Sequence, residues 1–325
     1  VVGGGIAGAA ASRALADRGV TVEVFDKGRR PGGRCSTRSR DGLAFDHGAQ
    51  CFSSGSNGFA DQVADWHQRG IAQPWPGRFV NLDRGEIESE PPRRLWVGVP
   101  TMDVLAHDLL NGKTCRSNTA VKGLVREGEH WQLITADGPI EHRYDEVIVA
   151  MPPVQAIRLL GEKLPGLSDM ADQVPLRPCW TAMIAFESVV ELPFEAATVN
   201  GHSTIAWLAR NSSKPGRPPS PPECWIVNAR GDWAQARLDS DSDEIAGELH
   251  QSFLRLSQEL GVTLPPVATM KGHRWTFALC DRAWGKRCVR EATLGLTLCG
   301  DWLLGGRIEH AYLSGRAAAA AVFAA

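Results

Sequence analysis

The chain has 325 residues, 43% hydrophobic and 22% charged, which suits one large or two ordinary domains with a real core. Its formal net charge of -2, from 35 basic and 37 acidic residues, argues against nucleic acid as a partner. No apolar run reaches the roughly 18 residues of a membrane span. The eight cysteines, none in a C-x-x-C pair, read as scattered reduced thiols of a cytoplasmic protein rather than as disulfides or a metal site.

Val1-Val2 reads as the end of a strand, so a few residues are expected upstream. The apolar opening lacks a basic flank and is not a signal peptide. Gly3 to Gly8 form a turn, residues 9–18 an alanine-rich helix stopped by Gly19, and residues 20–25 a β-branched strand ending at Asp26. Residues 27–40 are a Gly- and Arg-rich loop. Residues 56–70 predict a helix with Phe59, Val63 and Trp66 on one face, and residues 71–100 predict short strands. Thr101 or Asp103 caps a helix through Leu110, and residues 114–150 read as a meander with a turn at Asp137-Gly138. Pro152-Pro153 stop its last strand.

Residues 155–292 are proline-rich, with an extended strand over 180–187. The loop 212–223 carries five prolines and is expected to be a mobile cover. A helix over 243–260 places Ile245, Leu249, Phe253, Leu256 and Leu260 on one stripe. Residues 293–299 read as a buried strand before Gly300-Asp301, and the alanine-rich end from Glu309 as a helix.

Gly3-Gly4-Gly5-Ile6-Ala7-Gly8 fits G-x-G-x-x-G, set between a strand and a helix. Gly3 permits the tight turn, Gly5 the approach of a pyrophosphate, and Gly8 close packing of helix on strand. The amides of Ile6, Ala7 and Gly8 then face the phosphates. Asp26, at the end of the second strand, holds ribose hydroxyls, with Lys27 beside it.

This unit suits NAD or FAD equally; the following segment separates them. Gly33 and Arg34 in Pro31-Gly32-Gly33-Arg34 resemble the second fingerprint of the FAD-dependent amine oxidase superfamily, in which backbone and guanidinium contact the diphosphate. Asp46-His47-Gly48-Ala49-Gln50 resembles the segment that passes the flavin ring. Gly300-Asp301 resembles the C-terminal flavin motif, followed by a helix start at Glu309, His310 and Ala311. The whole chain is similar to the renalase branch, closest to bacterial renalases. The shared segments include Arg94-Leu95-Trp96, Trp207-Leu208-Ala209-Arg210-Asn211, His273-Arg274-Trp275, Cys299 to Trp302 and Gly306-Arg307-Ile308-Glu309.

The resemblance implies noncovalent FAD, contacted by Gly3, Gly5, Ile6, Ala7, Gly8, Asp26, Lys27, Gly33, Arg34, Gly48, Ala49, Gln50, Val121, Gly300, Asp301, Arg307, Glu309, His310 and Ala311. It implies oxidation of dihydroNAD(P) isomers reduced at the 2 or 6 position, with hydride passing to flavin N5 and O2 returning hydrogen peroxide. Asn228 stands where renalases often carry histidine; it can hydrogen-bond a carboxamide but cannot titrate near neutral pH. Asn228, His273, Trp302 and Arg210 are the candidate substrate-facing residues.

A true amine oxidase is the main alternative. Those enzymes place a lysine near flavin N5 on a strand like 180–187, where this chain has none, the nearest being Lys163 and Lys214. Their cage tyrosine aligns with Arg307, a cation that would repel an ammonium. A desaturase or protoporphyrinogen-type oxidase, and a non-catalytic binding protein of the same fold, are further options. The expected fold class is α/β. A Rossmann-like FAD-binding domain (1–55, 97–154 and 293–325) has a parallel sheet with helices plus a β-meander, and an α+β substrate domain covers 56–96 and 155–292.

Overall fold

In a computed structural model, which describes residues 1–89, 94–164, 166–218 and 220–324, Val2 sits at the centre of a parallel sheet. It bridges Phe25 on one side and Val149 on the other. Beyond Phe25, Glu23–Phe25 pairs in parallel with Thr114–Arg116. Beyond Val149, Val147–Val149 pairs in parallel with Leu296–Leu298, and Val289–Glu291 closes that edge antiparallel. The strand order reverses at Val2, and the glycine turn leaves the sheet there. In open α/β sheets this is where ligands bind.

The first helix is Ile6–Ala16. It begins three residues before the expected start because Gly5 is already extended and serves as its N-cap. The expected strand over 20–25 shortens to Glu23–Phe25; Val22 packs on the core outside the ladder. The helix Asn57–Gln68 buries Phe59, Val63 and Trp66, as its periodicity requires. The region 71–100 holds Ala72–Pro74, Phe79–Asp83, Glu86–Ser89 and Trp96–Gly98; its residues 90–93 lie outside the described ones. The expected meander over 114–150 is confined to Val121–Glu127, His130–Thr135 and Gly138–Tyr144. The flanking strands belong instead to the parallel sheet. Pro153 opens the helix Pro153–Leu160, where its missing N–H costs nothing.

A second sheet of seven strands runs in the order Val267–Cys280, Leu176–Phe186, Glu223–Ala229, Ile205–Arg210, Ala196–Asn200, Phe79–Asp83, Glu86–Ser89. Its two faces bury different cores, since alternate residues of a strand point oppositely. Ala182, Ile184, Trp225 and Val227 pack with Ile245, Leu249 and Phe253 of the helix Ser242–Glu259. The Asp241 carboxylate caps that helix, accepting from the Asp243 and Glu244 amides at 2.7 and 3.3 Å. Phe253 is fully buried, and its truncation to alanine would cost about 3–5 kcal/mol. Met183, Ala185, Ile226 and Ala209, from the opposite face, join the core that holds Ile6, Cys35, Phe45 and Phe52. The sheet thus turns one face to a helix and the other to the nucleotide-binding unit.

The loop over 212–223 departs from expectation. Lys214 and Arg217 within it are buried against Asp46, so this stretch is anchored and is no free cover; Pro219 lies outside the described residues. The strand expected over 293–299 narrows to Leu296–Leu298 after a short 3-10 turn, and the last helix is Ile308–Ala321. None of the eight cysteines forms a disulfide. Among the described residues, no helix is long and apolar enough to cross a membrane and no group of three or more His, Cys, Asp or Glu is placed to hold a metal ion.

Candidate active site

The glycine turn packs as tightly as its pattern demands. A Cβ on Gly8 would stand 1.9 Å from the Gly3 carbonyl oxygen. The two glycine loops lie backbone to backbone: a Cβ on Gly33 would lie 3.2 Å from Gly5 Cα, one on Gly5 3.8 Å from Gly33 Cα, and the Gly32 amide donates to the Gly4 carbonyl at 2.9 Å. No side chain caps the helix Ile6–Ala16 and its first turn carries no acid, so the Ile6, Ala7 and Gly8 amides are left without a side-chain partner. The Asp26 carboxylate accepts from the Gly4 and Gly28 amides at 2.6 Å each. Lys27 beside it is exposed, and Val121 begins the meander strand nearby.

Arg34 donates to the Asp301 carboxylate and to the Ala278 carbonyl at 3.3 Å, tying the second glycine loop to the C-terminal motif. The Gly300 amide is held by the Ser314 hydroxyl at 2.9 Å. Arg307, exposed, is the N-cap residue of the last helix. The Ala311 amide already donates to the Arg307 carbonyl at 3.0 Å, which leaves Ile308, Glu309 and His310 as the amides available for a ligand. The Ala311 amide is therefore engaged within the helix. The Glu309 carboxylate accepts from the Gly55 and Ser56 amides at 3.2 and 2.6 Å. Burial would raise its pKa, but Ser56 and Gly55 hold it below the usual range.

Between the two sheets runs the segment 46–50. Asp46 is fully buried and receives Lys214 at 3.0 Å, Arg217 through Nε at 3.1 Å, the Thr37 hydroxyl at 2.6 Å and the Met102 amide at 3.2 Å. Burial alone would raise its pKa; Lys214 and Arg217 overcome that and bring it to about 2. Lys214 Nζ also donates to Gln50 Oε1 at 3.0 Å and Asn211 Oδ1 at 2.9 Å, using its three protons. The Gln50 amide donates to the Asp46 and Gly48 carbonyls, so its side chain serves this cluster. Gly48 is pressed under Trp275: a Cβ there would lie 3.3 Å from the indole and 2.0 Å from the Arg34 carbonyl oxygen. Ala49 donates its amide to that same oxygen at 2.8 Å.

Above this segment the seven-stranded sheet presents one row. Trp207, Asn228, Thr181 and His273 are successive partners in register and therefore share a face. His273 meets His47 edge-on at 4.6 Å between centroids, and His47 stacks on Trp275 at 5.2 Å, whose Nε1 donates to the His47 carbonyl at 2.8 Å. Arg38 Nη2 lies 3.5 Å from His273 Nδ1. Burial first, then His273 and Arg38, lowers His47 to about 3; burial and Arg38 lower His273 to about 4. Both rings are neutral at ordinary pH. The buried Trp207 Nε1, Asn228 Oδ1 and Thr181 Oγ1 have no hydrogen-bond partner.

Of the four expected substrate-facing residues, the row contains Asn228 and His273. Arg210 points to the other face, where it donates to Glu223 and the Leu192 carbonyl at 2.7 Å each and lies over Trp225. Trp302 is fully buried in the nucleotide-binding core and donates to the Met151 carbonyl at 3.2 Å. Both leave the substrate set. Sequence reasoning missed Lys214 and Arg217, which carry no periodic signal, and Thr181 and Arg38; only the alternation of the strand around Trp180 could have marked Thr181 as facing away from the helix.

A switch-point glycine turn joined to a large mixed, mostly antiparallel sheet defines a dinucleotide-binding α/β protein with a site between its sheets. Residues 1–66 match the "NAD(P)-binding Rossmann-like domain" family and residues 89–323 the "Flavin containing amine oxidoreductase" family. The chain belongs to the flavin-containing amine oxidoreductase family, and it is a flavin-dependent oxidoreductase with FAD as cofactor.

Among curated proteins it is 25% identical over 257 residues to a tRNA 5-methylaminomethyl-2-thiouridine biosynthesis bifunctional protein of Albidiferax ferrireducens, covering 69% of this chain and 41% of that one. It is 48% identical over 48 residues to a zeta-carotene-forming phytoene desaturase of Myxococcus xanthus, covering 15% and 9%. The matches thus span less than half of either relative. Similar solved structures include a protein of Exiguobacterium sp. 255-15 provisionally described as a protoporphyrinogen oxidase (TM-score 0.76, 15% identity, 99% and 97% of the two chains). Cyclohexylamine oxidase of Brevibacterium oxydans IH-35A (0.72, 13%, 99% and 97%) is another. A fatty acid isomerase of P. acnes is a third (0.73, 11%, 99% and 98%). At these identities the likeness is one of fold.

The residues present fit FAD. The side-chain-free backbones of Gly5 and Gly33 lying against each other, two helix N-termini without side-chain caps and the Asp26 carboxylate suit a dinucleotide.

Proposed function

We propose that the chain oxidises dihydronicotinamide dinucleotides reduced at the 2 or 6 position, the activity of the renalase branch, yielding NAD(P)+ and hydrogen peroxide. When bound, FAD would supply the two-electron acceptor for this oxidation, with O2 as the final oxidant. Gly5, Gly33, Arg34 and the Ile6 to Gly8 amides would hold the FAD diphosphate, Asp26 its ribose, and Asp301 with the start of the last helix the flavin end. The chain divides into an FAD unit (1–55, 97–154, 293–325) and a substrate unit (56–96, 155–292), with the reaction between them. We place it in a reducing, cytoplasmic setting.

One observation carries the reading: the row facing the nucleotide unit is neutral and flanked by a cation. His47 and His273 are held uncharged, Arg38 stands against His273, and the nearby carboxylates are engaged. Asp46 is matched by Lys214 and Arg217, Asp301 by Arg34, and Glu309 by backbone amides. An ammonium would meet no free negative charge here, whereas a neutral dihydropyridine ring needs no counter-charge. Lys214, with Lys163 one of the two lysines nearest the strand on which amine oxidases carry theirs, spends its protons on Asp46, Gln50 and Asn211. The row orients the ring and excludes water; no side chain needs to take a proton.

The test is product analysis during aerobic turnover of 6-dihydroNAD by the yellow holoprotein. Formation of β-NAD+ and hydrogen peroxide in equal amounts supports the reading. Release of an aldehyde and ammonia from an amine panel, with 6-dihydroNAD untouched, replaces it with amine oxidation.

A further inference from the structure

Trp207 and Asn228 are opposite one another on antiparallel strands, with side chains on the face turned to the nucleotide unit. Trp207 Nε1 and Asn228 Oδ1 are shielded from solvent and neither has a hydrogen-bond partner. An orphaned donor beside an orphaned acceptor forfeits hydration without compensation, and a bound ligand with the matching edge would restore both. A primary carboxamide has that edge. Its carbonyl accepts from the indole N–H while its NH2 donates to the asparagine oxygen. A carboxylate brings acceptors only and cannot answer Asn228 Oδ1, so it would be met only if the Asn228 amide turned over; an ammonium brings donors only and leaves Trp207 unanswered. Thr181, next in the row, presents a buried hydroxyl oxygen that can take the second amide proton.

We propose that Trp207 and Asn228 form a carboxamide-reading pair and set the specificity of the site for an amide over the corresponding acid. This rests on the dihydronicotinamide reading and sharpens it, since the pair selects the nicotinamide over the nicotinate ring.

The test uses the holoprotein and two inert probes, benzamide and benzoate, titrated against the flavin absorbance, with thermal unfolding of the cofactor-free protein in parallel. Benzamide should bind wild type at least about 100-fold more tightly than benzoate. Trp207→Phe and Asn228→Leu should each weaken benzamide about 10- to 100-fold and leave benzoate unchanged. Asn228→Leu, which nearly keeps the volume, should not lower the unfolding temperature as loss of a made hydrogen bond would, because no native bond is lost. Equal affinity of wild type for the two probes overturns the proposal, and so does unchanged benzamide binding in both variants. The two readings fail separately. Amide selectivity without reduction by 6-dihydroNAD keeps the pair and removes the dihydronicotinamide substrate. Reduction by 6-dihydroNAD without amide selectivity does the reverse.

Discussion

Lys214 Nζ lies 3.0 Å from Asp46 Oδ2, and neither side chain reaches solvent. Arg217 shares the same carboxylate, also without exposure. One buried anion thus serves two buried cations and ties the chain following Ile205–Arg210 to the segment that passes under Trp275. Asp46→Asn would leave both cations without a counter-charge, at a cost of about 3–5 kcal/mol. Lys214→Met should cost less, because Arg217 still answers Asp46. Denaturant unfolding of the two variants should rank them in that order; the reverse ranking would deny Asp46 its central place.

The two site histidines set an acid limit on stability. Their folded pKa values, about 3 for His47 and about 4 for His273, lie below the ordinary 6.5. Below pH 6.5 the unfolded chain therefore binds protons that the native state refuses, and stability falls as pH drops from 6.5 towards 4. Each contributes at most about 1.4 kcal/mol per pH unit, and His273, the more exposed, contributes less. Above pH 6.5 neither contributes. His47→Gln should flatten the acid limb of an unfolding profile and leave the neutral plateau in place.

Arg34 joins the second glycine loop to Asp301. Removing a charge-assisted bond is worth about 1.5–3 kcal/mol, so Arg34→Met should weaken FAD binding about 10- to 100-fold. FAD titration of the cofactor-free variant, followed by quenching of flavin fluorescence, measures this directly. An unchanged dissociation constant would confine Arg34 to holding Asp301.

Arg210 and Trp302 should act on stability rather than specificity. Arg210→Met strips Glu223 of its buried partner and should cost about 3 kcal/mol. Trp302→Phe leaves the Met151 carbonyl unanswered and should cost about 1–3 kcal/mol. Both variants, once folded, should keep the wild-type KM for the dihydronicotinamide substrate. A tenfold rise in KM for either would return it to the site.

Much of this was legible in the sequence where a local rule binds residues to structure. The glycines of the first turn, the stripe of Ser242–Glu259 and the face of Asn57–Gln68 all follow from spacing alone. The strand Val267–Cys280 did not, because it is only partly buried along most of its length and shows no clean alternation. Lys214 and Arg217 read as solvated charges in a proline-rich loop, and only the distant Asp46 makes them interior residues. Arg210 was misplaced because alternation along its strand, invisible without knowing which face meets the nucleotide unit, turns it to Trp225. The row of Trp207, Asn228, Thr181 and His273 draws on four strands separated widely in sequence, and register between such strands is a tertiary property.

The most direct measurement is anaerobic mixing of the holoprotein with 6-dihydroNAD, with a panel of primary amines in parallel, following flavin absorbance by stopped flow. Rapid bleaching by 6-dihydroNAD, recovery in air with peroxide, and no bleaching by amines is the expected result. Bleaching by an amine and none by 6-dihydroNAD would contradict it and show that the neutral row beside Arg38 admits an ammonium after all.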